Sequence, residues 1–127
     1  MMIEIVHPSK VEVRPSEGKG MGVFAKEPIN AWEVIEDCHL IFLPNTPNDN
    51  PMTWLLEDYR FNYPARQIEW THQVIPLGFG SIYNHSNEWN TEWIAHPTIS
   101  TMFRFRAIRD ISIGEECCTY YGNVEFP

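Results

Sequence analysis

The sequence predicts a mostly β fold of many short strands with one clear helix. Three observations predict it. Ten prolines and seven glycines in 127 residues cut the chain into short elements and argue against a helix bundle. The runs between them are rich in β-branched and aromatic residues, which suit pleated, half-buried strands. A hydrophobic fraction of 43% and an aromatic fraction of 13% fit a packed globule and not a disordered chain. A core of this size buries roughly two-thirds of the unfolded surface, so one domain over residues 1–127 is expected.

Ile3–Val6 and Val11–Arg14 are short β-prone runs separated by His7-Pro8-Ser9. The glycine cluster Gly18-Lys19-Gly20-Met21-Gly22 leads directly into Val23-Phe24-Ala25, another strand candidate. Glu27–Ala31 reads as a turn, and Glu33–Glu36 and Leu40–Leu43 are β-prone again. Pro44–Pro51 holds three prolines, three asparagines and Asp49, and is a loop. Thr53–Phe61 is the best helix. Thr53 can cap it, Trp54, Leu55, Asp58 and Tyr59 fall at helical spacing, and Tyr63-Pro64 ends it. Ile68–Ile75 alternates weakly, and Leu77–Asn84 is apolar and glycine-spaced. Glu92–His96 and Ile99–Arg106 look like two strands joined by a turn at Pro97-Thr98. Phe103 and Phe105 alternate there with Arg104 and Arg106, so the phenylalanines belong to the core face. Arg109–Glu116 turns at Gly114, and Cys117–Tyr121 is the final strand.

Seventeen acidic against nine basic residues give a net charge of −8. Such a chain is poorly suited to gripping phosphate backbones, so no direct nucleic-acid binding is expected. It is better suited to a basic partner, but on composition alone plain solubility is the better account of the charge. The cysteines Cys38, Cys117 and Cys118 are odd in number, with two adjacent and no CxxC spacing. That pattern excludes a disulfide scaffold and a cysteine zinc site, and fits reduced thiols in an intracellular, soluble protein. No stretch reads as a secretory signal or a membrane span.

Four features could carry chemistry. Gly18-x-Gly20-x-Gly22 permits positive φ and close backbone approach to a ligand. A strand follows it, so a dinucleotide or phosphate-loop site is excluded, while a tight hairpin turn and a ligand loop both remain open. Asn84-His85-Ser86 brings donors and acceptors after an apolar approach, either for a polar ligand or as a buried hydrogen-bonding corner. No second ligand lies at a useful spacing from His85, so no metal is expected there. Glu115 and Glu116 are neighbours on a strand and face opposite sides, so they cannot act as a facing pair. Glu115 reads as solvated and Glu116 as a structural partner. Scattered aromatics, among them Trp54, Tyr59, Tyr63, Phe79, Tyr83, Tyr121 and Phe126, could cage an ammonium group or simply pack.

Taken in order, these segments resemble a SET-domain protein lysine methyltransferase. Gly20-Met21-Gly22-Val23-Phe24-Ala25 resembles the family's opening G-x-G-v-f-A motif. Gly78–Ser86, continuing to Asn90, resembles the R-F-I-N-H-S-C-x-P-N segment. Ile108–Glu116, continuing to Tyr121-Gly122, resembles the terminal G-E-E-L-T-x-x-Y-G segment. The motif-bearing core covers about residues 10–122, and the compact length most resembles small stand-alone viral SET proteins. The chain departs from the pattern at Ser81, Asn87 and Trp89, where arginine, cysteine and proline are usual, and at Cys117-Cys118, where Leu-Thr is common. It carries no cysteine-rich pre-SET or post-SET segment, so a lid must come from Asn123–Pro127, a second copy in a homodimer, or the substrate.

The resemblance implies a β-clip of small curved sheets with one or two short helices and a C-terminal pseudoknot near Asn84-His85. It implies methyl transfer from S-adenosylmethionine to a lysine ε-amine of a basic protein, such as a histone tail or a host protein, without a metal. Tyr121 matches the family's catalytic tyrosine. Gly20, Met21 and Gly22 would line the methionine part of the cofactor. Tyr83, Asn84 and His85 would hold its amino-acid and adenine ends, and Phe126 would stack on adenine. Tyr59, Thr119 and Tyr121 would wall the lysine channel, with the small Thr119 leaving room for more than one methylation. The competing reading is a non-catalytic SET-like module that binds a partner peptide. A purely structural β-clip is the third.

Overall fold

The computed structural model describes residues 5–42, 61–63 and 72–120. Among these described residues nine strands follow in order: β1 Val11–Ser16, β2 Gly20–Ala25, β3 Val34–Phe42, β4 Phe61–Tyr63, β5 His72–Pro76, β6 Asn84–His85, β7 Thr91–Ala95, β8 Met102–Ala107 and β9 Glu116–Thr119. They pair in the path β1-β2-β9-β7-β8-β3-β5-β4, with β6 branching off on β9. The ladders are short. β2 meets β9 at Val23–Cys117 and Phe24–Glu116 alone, and β7 meets β9 at Thr91–Thr119 alone. The path is thus a chain of small sheets that share strands, as the β-clip expectation required.

The glycine cluster forms the turn of the β1–β2 hairpin, whose register runs from Val11–Ala25 to Ser16–Gly20. Gly18 and Gly20 have φ of 75° and 77°, a region that costs a side-chain-bearing residue energy. The strand candidates at Glu33–Glu36 and Leu40–Leu43 merge into one nine-residue β3. Glu92–His96 and Ile99–Arg106 become β7 and β8, paired antiparallel from Thr91–Ala107 to Ala95–Phe103. Phe103 and Phe105 are fully buried and form the core with Val23, Ile29, Trp93 and Ile111.

Among the described residues there is no helix. The helix expected at Thr53–Phe61 lies outside them except for Phe61, which opens β4 and pairs with Val74. The threading expected of the C-terminal segment also lies outside them, because Tyr121–Pro127 are not described. Trp32 is the one non-glycine residue among the described residues with positive φ, at 69°. Its N–H donates to the Ala107 carbonyl at 2.9 Å, and the Arg106 guanidinium faces its exposed ring at 5.5 Å.

β3 continues through an acidic residue because that residue is paired. Asp37 has a buried side chain and takes two hydrogen bonds from Arg104, at 2.8 and 3.2 Å. Its Oδ2 also accepts the Val6 N–H at 2.9 Å. His96 lies beside it, with Nε2 3.5 Å from Oδ2. The His96 Nδ1 accepts the N–H groups of Thr98 and Ile99, which closes the β7–β8 turn. Burial opposes ionisation of Asp37, but the Arg104 guanidinium and the Val6 N–H outweigh it and hold the carboxyl below its ordinary range.

A lowered carboxyl pKa contributes stability that is present above the unfolded value and is lost as pH falls through the folded one. Asp37→Asn should therefore cost about 3 kcal/mol near neutral pH, because it removes the buried negative charge that Arg104 faces. Urea unfolding should show that gap narrowing as the pH drops below about 4.

Candidate functional site

The site forms where the β1–β2 hairpin, β6 and β9 meet. β6 is only Asn84–His85, and it pairs parallel with β9 at Asn84–Cys118 and His85–Thr119. That pairing sets the asparagine and histidine beside the strand that ends the described chain. The Ser86 N–H then donates to the Thr119 carbonyl at 3.1 Å.

Glu116 joins the three segments. Its Oε1 accepts the Ser16 hydroxyl at 2.9 Å, and its Oε2 accepts Asn84 Nδ2 at 2.7 Å. The same Asn84 nitrogen donates to the Met21 carbonyl at 3.0 Å, so both amide hydrogens are engaged. A methyl group at Gly22 would overlap the Glu116 carboxylate and crowd Asn84 Nδ2 at 3.0 Å. The third glycine of the cluster is therefore needed for close approach, and Gly20 for its backbone angle.

Asn90 fixes β9 from the other side. Its Oδ1 accepts the Cys118 N–H and its Nδ2 donates to the Glu116 carbonyl, both at 2.8 Å. The Thr91 hydroxyl adds a bond to the Cys118 carbonyl at 2.9 Å. The Trp93 indole N–H donates to the Tyr120 carbonyl at 3.1 Å and so pins the residue before Tyr121.

Two further groups frame the site. Lys19 Nζ stands 3.4 Å from the His85 carbonyl, which places a cation between the glycine turn and β6. Tyr120 lies between His85 and Trp89, with ring centroids 5.1 and 4.8 Å away. Neither Lys19 nor Trp89 was among the sequence-derived candidates. The signal for Trp89 was present, since it replaces the usual proline of the resembled segment.

The structure brings together Gly20, Met21, Gly22, Asn84 and His85, as expected from their motifs. It corrects two readings. Tyr83 was expected to touch a cofactor, but its ring is fully buried and stacks on Phe105 at 4.4 Å, nearly parallel to it. It is a core residue whose backbone delivers Asn84 to the site. Glu115 was read as solvated, yet it is half-buried, paired with Arg109 at 2.9 Å and hydrogen-bonded by the Ser112 N–H. Glu116 is the structural partner the sequence indicated. Thr119 is buried, and its hydroxyl donates to the Thr91 carbonyl at 3.4 Å. Tyr59, Tyr121 and Phe126 lie outside the described residues.

The cysteines offer no nucleophile here. Burial pushes the Cys117 thiol up to about 12 and the Cys118 thiol up to about 11, so both are neutral thiols at ordinary pH. Among the described residues, no three His, Cys, Asp or Glu side chains group as a metal would need. No described helix is long and apolar enough to cross a membrane.

The SET-domain model matches residues 20–122, from the first glycine of β2 to the glycine after Tyr121. This chain belongs to the SET family. A histone-lysine N-methyltransferase of Schizosaccharomyces pombe, specific for H3 lysine-37, is 31% identical over 124 residues. The match covers 97% of this chain and 80% of the yeast protein. A crystal structure of a Plasmodium falciparum protein, provisionally assigned as a histone methyltransferase, is similar with a TM-score of 0.72 and 27% identity. That match covers 91% of this SET chain and 95% of the other. The Neurospora SET protein DIM-5, a histone lysine methyltransferase, shares the fold with a TM-score of 0.66 at 15% identity, over 92% of this chain and 54% of that one. These relatives come from two fungi and Plasmodium, so they do not carry the expected closeness to small viral SET proteins.

Glu116→Gln tests how the SET site is held. An amide at this position can still accept from Asn84 and donate to Ser16, whose hydroxyl can also accept, but it removes the negative charge that strengthens both bonds. The variant should lose about 1–3 kcal/mol in thermal unfolding.

Proposed function

We propose that this SET domain transfers a methyl group from S-adenosylmethionine to the ε-amine of a lysine in a basic protein or peptide. The observation that carries this reading is the meeting of Gly20–Gly22 and Asn84-His85 on Glu116, at the strand that leads to Tyr121. The names of the similar yeast and Plasmodium proteins support it and favour a histone tail as the substrate class. The charge of −8 adds long-range attraction for such a tail.

The residues present fit the proposed methyl donor, which carries a sulfonium, an amino-acid end and a flat base. Bare backbone at Gly20 and Gly22 gives close approach, and the position of Gly22 tolerates no side chain. Glu116 supplies negative charge nearby, and Lys19 supplies the opposite charge toward a carboxylate. His85, Trp89 and Tyr120 present ring faces that suit a heteroaromatic base, with Phe126 as a further stacking residue. When bound, S-adenosylmethionine supplies an electrophilic methyl group on its sulfonium.

The chain's own residues then have defined tasks. Asn84 locks the hairpin to β9 through both amide hydrogens and keeps His85 in register with Thr119. Trp93 fixes the Tyr120 carbonyl, and with it the start of the segment that carries Tyr121. The Tyr121 hydroxyl orients the substrate amine, and Tyr59 and Thr119 wall its channel. Thr119 is buried and tied to Thr91, which supports an interior place for it in that channel. Withdrawal of the lysine from water disfavours its ammonium form and so readies the amine for attack.

S-adenosylmethionine at a hundred times its Kd should stabilise the protein by about 2.7 kcal/mol, visible as a rise in Tm. No shift at millimolar concentration would exclude this function. Tyr121→Phe should reduce transfer of labelled methyl to histones roughly 100-fold while leaving that Tm shift intact.

A further inference from the structure

The turn between β5 and β6 delivers Asn84 and His85 to the site, and a carboxylate without a catalytic task holds it from beneath. Glu36 of β3 is 1% exposed. Its Oε2 accepts the Phe79 N–H at 3.3 Å, and the Phe79 carbonyl accepts the Ile82 N–H at 2.8 Å. Phe79 is therefore gripped on both sides, five residues before Asn84.

The surrounding geometry is built around that carboxylate. The β3–β8 register shifts between Val34 and Glu36. Gly78 has φ of 67°, and a Cβ there would stand 2.9 Å from Glu36 Oε2. The turn can rest on the carboxylate only because position 78 carries no side chain. The Leu77 N–H donates to the His39 carbonyl at 2.8 Å, and the Ser81 hydroxyl to the Pro76 carbonyl at 2.9 Å. Gly80 packs so closely that a Cβ would meet Pro76 Cβ at 2.5 Å and Cys38 Sγ at 3.0 Å. Tyr83, locked on Phe105, completes the path to Asn84.

Among the described residues no cation pairs with Glu36. Burial raises its carboxyl pKa, while the Tyr83 hydroxyl, the Phe79 N–H and the Cys38 thiol oppose that shift and the charge on Asp37 adds to it. A buried acid of this kind costs stability that an apolar residue would not, unless the contacts it makes offset that cost.

We propose that Glu36 is a positioning residue of the site: it grips Phe79 and thereby fixes where Asn84 and His85 stand against β9 and the glycine hairpin. Its functional readout rests on the methyl-transfer reading, but its structural readout does not.

The test compares Glu36→Ala, Glu36→Gln and Gly78→Ala in the full chain. NMR follows the Asn84 side-chain amide resonances, and calorimetry follows S-adenosylmethionine affinity. Glu36→Ala and Gly78→Ala should both move the Asn84 resonances and weaken S-adenosylmethionine on the order of tenfold. Glu36→Gln keeps an acceptor for Phe79 and should restore both to within about twofold of the wild type. A raised carboxyl pKa makes stability fall as pH rises through it, so Glu36→Gln should also gain stability over the wild type on the alkaline side. Unmoved Asn84 resonances and unchanged affinity in Glu36→Ala or Gly78→Ala, whatever their Tm, would overturn the proposal. So would a Glu36→Gln variant as impaired as Glu36→Ala. Should Glu36→Ala not fold, Gly78→Ala and Glu36→Gln decide the matter. A wild type that binds no S-adenosylmethionine would sink the methyl-transfer reading, while the Asn84 resonances would still judge Glu36.

Discussion

One carboxylate ties the molecule together. Glu116 receives hydrogen bonds from Ser16 and Asn84, side chains 100 and 32 residues away in the chain. The β2–β9 ladder beside it holds two residue pairs, too few to fix the hairpin alone. The side-chain bonds supply what the short ladder lacks. They are charge-assisted, and so stronger than the neutral bonds of a turn. The glycine at position 22 is the steric counterpart of the same contact, because the carboxylate occupies the space its side chain would need.

Around that point the fold uses polar side chains where a larger protein would use longer ladders. Asn90 supplies both an acceptor and a donor to β9, and Thr91 adds a third bond. Asp37 clamps β3 to Arg104 of β8 and to the Val6 backbone. Each of these groups is buried with partners, the condition under which a polar core is tolerated. The apolar core of Phe103, Phe105, Trp93 and Tyr83 packs beneath, and Trp93 and Tyr83 pass its order on to Tyr120 and Asn84 respectively.

Much of the architecture was legible in the residues. The alternation at Phe103–Arg106 pointed to β8 and its buried face, and a hairpin turn was one of the two readings the glycine cluster left open. The motif residues Gly20–Gly22 and Asn84-His85 did come together. What escaped was mostly long-range. The partners of Asp37 and Glu36 carry no local signal, since only the fold reveals Arg104 beside one and Phe79 above the other. Tyr83 sits among motif residues, and adjacency in sequence concealed that its ring turns inward while Asn84 turns to the site. Pairing of β9 with β6 and β7 in parallel carries no local signature, because it depends on contacts far apart in the chain.

The late position of β9 has a consequence for how the protein is made. β2 is complete once Ala25 has been synthesised, yet its partner begins at Glu116. A ribosome-bound chain therefore exposes one open edge of β2 and another of β7 until β9 emerges. Non-local pairing of this kind slows folding and leaves unpaired edges open to other chains. Biogenesis, more than the finished structure, is the stage at which this domain is most exposed to aggregation. The strand that completes the site is also the strand that ends that exposure.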